Sequence, residues 1–148
     1  MITKPFACVL LAVAALATAA PVRATESACV QLSDGWIRVP PTHGAAVMAA
    51  GFGHLHNGCK AEVAVVSASS AAFNDVSLHE TTQVGGVSRM REVERLPLAA
   101  GQGADLKPGG LHLMLMGGDA LRDGQRVPLV LGLADGTQVR GELVVRKP

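Results

Sequence analysis

Between Gly109 and Gly117 the chain reads GGLHLMLMG, and its strict two-residue alternation admits a β-strand and little else. Leu111, Leu113 and Leu115 fall on one face, a purely aliphatic surface suited to a core. His112, Met114 and Met116 fall on the other. Thioether sulfur is soft and uncharged and imidazole is borderline, so that second face suits a soft, low-charge ion such as Cu(I) rather than Mg²⁺ or Ca²⁺, which take oxygen. Methionine on a strand also serves as adaptable core filling, and the stretch alone leaves both readings open. Distance separates the two methionines. At about 3.3 Å per residue, Met114 stands roughly 7 Å from His112 along the strand and Met116 roughly 13 Å, so Met116 is expected to pack at the site's edge or against the barrel.

The same alternation recurs along the chain, punctuated by glycine and proline. Strands are expected at Val30–Val39, Val47–His56, Glu62–Ala68, Val76–Val84, Val87–Val93, Leu111–Met116, Val127–Leu133 and Gln138–Val145. About eight short strands, the last two joined through Asp135-Gly136, imply an all-β sandwich or small barrel. No repeat and no low-complexity tract interrupts them.

Ahead of these strands, residues 1–24 have a short polar start with Lys4, an apolar run from Phe6 to Ala20 and the small-x-small triplet Val22-Arg23-Ala24. This is the pattern of a cleavable secretory signal. Its apolar run is too short to span a bilayer comfortably, no later segment is long enough, and Cys8 lies too early to be a lipidated cysteine. Residues 25–148 are then one domain of 124 residues, soluble and without a membrane span. Loss of Lys4 and Arg23 leaves 11 basic and 12 acidic residues, moving the formal charge from +1 to −1. With aromatic residues at 3%, neither the basic footprint nor the stacking side chains of a nucleic-acid binder are present. Only Cys29 and Cys59 remain, and in an exported domain two cysteines are expected to pair. A thiolate metal ligand is the alternative.

All five histidines lie beyond the signal. His43 falls in the turn PPTHG. His54 and His56 share a face of one strand, either a chelating pair or a solvated strand end. His79 opens VSLHETTQVGGVSRMREV, which reads as a hairpin turning at Gly85-Gly86. If Val84 faces Val87, His79 opposes Glu92, Thr81 opposes Met90 and Glu80 opposes Arg91 as a cross-strand ion pair. His79 and Met90 are then diagonal neighbours, with backbones about 7 to 8 Å apart. Val76 and Leu78 carry the buried parity, His79 is off it, and Met90 shares its face with Ser88, Glu92 and Glu94. A methionine on a polar face is poorly explained as core.

His79, ten residues, Met90, twenty-one residues, His112, one residue, Met114: this series resembles the signature of the periplasmic copper chaperones of the PCuAC type. The segments LHET, LPLAAG, LKPGGLHLMLMG, WIRVPP and GFGHLHN extend the likeness over nearly all of the mature chain. The resemblance implies a cupredoxin-like Greek-key β-barrel in the periplasm that binds one Cu(I) through His79, Met90, His112 and Met114. It further implies delivery of copper toward assembling cytochrome c oxidase, with subunit II and a thiol-bearing assembly factor of the Sco type as partners. A copper buffer that sequesters rather than delivers would need the same ligands. An electron-transfer cupredoxin would need a cysteine thiolate beside its histidines, and none lies near this segment. No nucleophile–base arrangement, phosphate-binding glycine loop or carboxylate pair suggests an enzyme.

Overall fold

A computed structural model describes residues 23–41 and 48–146. The segment before residue 23, most of the expected signal, lies outside them, as do Val47 and His43. Among the described residues ten strands are formed: β1 (Val30–Arg38), β2 (Met48–Asn57), β3 (Val63–Ser69), β4 (Asp75–Val84), β5 (Val87–Glu92), β6 (Leu96–Leu98), β7 (Gly103–Leu106), β8 (Leu111–Met116), β9 (Arg126–Leu133) and β10 (Gln138–Arg146). The eight expected strands are all present within a residue or two of their bounds, and β6 and β7 are additional. Both are short, and β6 is a three-residue edge strand that carries Pro97, tolerated there because an edge position spares it a ladder hydrogen bond.

The strands hydrogen-bond in the order β5-β4-β8-β7-β2-β1-β10-β9-β3-β6, with β8 also pairing β2. Most ladders are antiparallel, while β1 runs parallel to β10. Although β3 and β4 stand near opposite ends of this order, they lie against each other without pairing. The sheet therefore curls back on itself into an incompletely closed barrel. Two irregularities help it bend, one between Ser33 and Trp36 of β1 and one between Val65 and Ser67 of β3, as bulges increase local twist. At the first, Asp34 takes a positive φ of 52°.

Alternation decides what fills the barrel. Leu113 and Leu115 of β8 are buried with Ile37, Leu55, Leu131 and Leu143, as the aliphatic face of GGLHLMLMG requires. Cys29 and Cys59 are joined in a disulfide that bridges 30 positions, tying the chain ahead of β1 to the loop after β2. Beside it, fully buried Asn57 donates to the carbonyls of Ala61, Leu98 and Ala99 and accepts from the Cys59 backbone N–H. One side chain thereby organises the β2–β3 loop and the end of β6.

Candidate metal centre

The β4–β5 hairpin turns at Gly85 and Gly86, whose φ values of 59° and 77° match the mirror-image turns that suit the strand twist. Its register places His79 opposite Glu92, Thr81 opposite Met90 and Glu80 opposite Arg91, as the turn alone predicts. The Arg91 guanidinium meets the Glu80 carboxylate at 2.7 Å. On its other side β4 pairs with β8, and there His79 stands directly across from His112 and Ser77 across from Met114. All four expected residues therefore share the outward face of three adjacent strands, β5, β4 and β8.

His112 is the most enclosed of them, only 7% exposed although polar. Its Nδ1–H donates to the Gly110 carbonyl at 2.9 Å. That carbonyl also accepts the Thr81 backbone N–H, so one oxygen fixes both the ring and the strand that carries His79. With Nδ1 carrying the proton, Nε2 presents a lone pair, and 3.3 Å away it meets the Met90 sulfur, which offers lone pairs as well. Two facing acceptors have little to offer each other without a cation between them. An ion bonded at about 2.0 Å to imidazole nitrogen and about 2.3 Å to sulfur, lengths typical of zinc, would hold such donors roughly 3.5 Å apart at a tetrahedral angle.

The His79 ring lies 6.1 Å from the His112 ring, centroid to centroid, close enough for both to reach one ion through bonds of about 2 Å. Its Nε2 sits 3.0 Å from the Ser77 hydroxyl. When Nε2–H donates to that oxygen, Nδ1 keeps its lone pair, and Nδ1 is buried with no hydrogen-bond partner among the described residues. A buried acceptor left orphaned is costly in an apolar setting, and a metal ion would relieve it. Met114 is half-buried and lines a cavity of about 220 Å³ together with His112, Thr81, Phe52, Pro108 and Arg38. Met90, by contrast, is 53% exposed at the rim. Among the described residues no group of three or more His, Cys, Asp or Glu side chains is placed to hold a metal ion, and the other soft donors on this face are the thioethers of Met90 and Met114.

The other described histidines are His54 and His56. His54 Nδ1–H donates to Asp105 at 2.7 Å, which holds that carboxyl below its usual range, and His56 is exposed. Both cysteines among the described residues, Cys29 and Cys59, are in the disulfide, so neither offers a thiolate. Sequence reading singled out neither Phe52 nor Arg38. Phe52 is buried 6.5 Å from the His112 ring, stacks with Trp36 at 4.6 Å and lies beneath the Arg38 guanidinium at 5.3 Å, so it walls one side of the histidine. The signal was available in GFGH, where Phe52 falls on the same strand parity as His54.

This curled sheet is the cupredoxin-like fold of PCuAC domains. It matches the apo PCuAC domain from PmoF1 with a TM-score of 0.66 at 17% identity, covering 85% of this chain and all of that one. The copper-bound PCuAC domain from PmoF2 matches with 0.63 at 18% identity, covering 83% and 98%. Apo-DR1885 from Deinococcus radiodurans matches with 0.60 at 25% identity, covering 99% and 97%. Residues 30–145 match the family described as "Putative lipoprotein LpqE-like", and the chain belongs to this LpqE-like family. Its relative Lxx21020, a lipoprotein by name, from Leifsonia xyli subsp. xyli, is 37% identical over 112 residues, which are 73% of this chain. The chain spans 64% of that relative's length.

Proposed function

We propose that this protein is an exported Cu(I) metallochaperone that holds one ion through His79, Met90, His112 and Met114 and passes it to the copper centre of cytochrome c oxidase during assembly. The contact that carries the reading is His112 Nε2 facing the Met90 sulfur at 3.3 Å while Nδ1 is held by Gly110. Two solved relatives of this fold are described as copper-bound, the PmoF2 domain and CuI-DR1885, and the second names the ion as Cu(I). Residues 1–24 are read as the export signal and 25–148 as a single copper-binding domain in the periplasm. A disulfide and a relative named as a lipoprotein both fit an oxidising, extracytoplasmic setting.

The donor set suits carriage of a cargo ion. Two neutral imidazoles and two thioethers leave the complex at charge +1, and no thiolate locks the ion, so a partner offering cysteine can take it by stepwise ligand exchange. Thioether also resists the disulfide formation that would disable a thiol in this compartment. The partners read here are the copper-accepting domain of oxidase subunit II and a thiol-bearing factor of the Sco type. Mixing the copper-loaded protein with each apo partner and separating the mixture shows where the copper goes. Delivery moves most of it to at least one partner. Retention by this protein in both mixtures would identify a buffer instead.

A further inference from the structure

The face that carries the four site residues continues past them. Met116 is 40% exposed, and Met48, 46% exposed, stands directly opposite it across the β2–β8 ladder. Two large thioethers left at the surface on adjacent strands are not core, and the proposed site uses neither. Directly opposed residues have their Cβ atoms about 4.5 to 5.5 Å apart, and methionine has three rotatable bonds, so both sulfurs can converge on one ion. On the next rung Ala50 faces Met114, and its small side chain leaves a mostly apolar hollow of about 150 Å³ lined by Met48, Ala50, Met114, Arg38 and Pro40. That hollow shares Met114, Ala50 and Arg38 with the cavity containing His112. Met114 thus borders both spaces. On the far side of Met116, β4 presents Asp75, whose carboxylate favours a cation nearby.

We propose that Met48 and Met116 form a second, weaker Cu(I) site that exchanges copper with the four-residue site by way of Met114, a thioether relay between the bound ion and the surface. This rests on the reading of His79, Met90, His112 and Met114 as the main site. Two thioethers without imidazole hold Cu(I) less firmly than the mixed set, which is what an entry or exit station requires. Met114 and Met116 are separated by about 7 Å along β8, so Met114 can keep its bond to copper while the other ligands change. The ion stays Cu(I) throughout and no electron moves.

The test follows the methionine methyl groups by NMR in protein labelled with ¹³C at those positions, titrated anaerobically with Cu(I) and, as a redox-inert probe, with Ag(I). The first equivalent is expected to shift Met90 and Met114, and the second to shift Met48 and Met116. In the near-isosteric double variant Met48→Leu/Met116→Leu, first-equivalent affinity should stay within threefold, while copper transfer to a chelator slows at least threefold. Silent Met48 and Met116 signals through two equivalents, or a double variant that transfers copper at the wild-type rate, would overturn the relay alone. A first equivalent that leaves Met90 and Met114 unmoved would refute the main site and the relay with it.

Discussion

Met114 and Met116 sit two residues apart on one face of β8 and differ in everything else: Met114 is half-buried beside His112, whereas Met116 reaches the surface opposite Met48. Their substitutions should separate accordingly. Met114→Leu, nearly isosteric and cheap in packing, is expected to weaken binding of the first Cu(I) at least tenfold, about 1.4 kcal/mol, with little change in apo melting temperature. Met116→Leu should leave that affinity within threefold. Competition against a colorimetric Cu(I) chelator measures both, and equal losses would mean the ligand set is wrong. His54 gives a contrasting case. Its hydrogen bond lowers the Asp105 pKa, so the pair's contribution to stability is present above the unfolded carboxylate value of about 3.9 and lost as pH falls through the lowered value. Urea midpoints of wild type and Asp105→Asn should therefore converge as the solution is acidified below about pH 4, with copper affinity at neutral pH unchanged. At this scale the sequence was informative wherever alternation and a turn fix the partner, as for His79 and Met90. It was silent on His79 facing His112, because that pair depends on β8 docking beside β4 across more than thirty residues of chain.

At the scale of elements, the β4–β5 hairpin is the part most fully written in the sequence. Gly85-Gly86 sets the turn and the turn sets every rung to His79–Glu92. The Glu80–Arg91 ion pair is exposed and adds little of its own, so Glu80→Gln should change stability by no more than about 1 kcal/mol. Replacing both glycines by valine forces β-branched residues into positive φ and frays the hairpin. Copper affinity should then fall, as in Met90→Leu, since the hairpin carries both His79 and Met90, and chelator competition on both variants checks it. Strands β6 and β7 were not legible because three or four residues leave no measurable period, and tertiary hydrogen bonds hold the region. Asn57→Ala removes the donor to three carbonyls and the acceptor for Cys59 N–H in a fully buried position. A loss on the order of 3 kcal/mol in chemical denaturation is expected.

For the molecule as a whole, the all-β class and the pairing of Cys29 with Cys59 follow from short alternating runs and from two cysteines behind a segment read as an export signal. Curling of the sheet does not, since the approach of β3 to β4 involves no ladder and leaves no periodic trace. The unreduced, denatured protein should show no titratable thiol at Cys29 or Cys59. Reduction should lower stability by roughly 3 to 4 kcal/mol, the chain-entropy value for a loop of this size. Copper binding should survive reduction while the fold persists, because neither cysteine belongs to the site. X-ray absorption at the copper edge of protein loaded with a single equivalent tests whether one Cu(I) is held by two imidazoles and two thioethers. Wild type is expected to show a shell of two nitrogens and two sulfurs, with one sulfur lost in Met114→Leu and one in Met90→Leu. A shell without sulfur, or one unchanged in both variants, would contradict that ligand set.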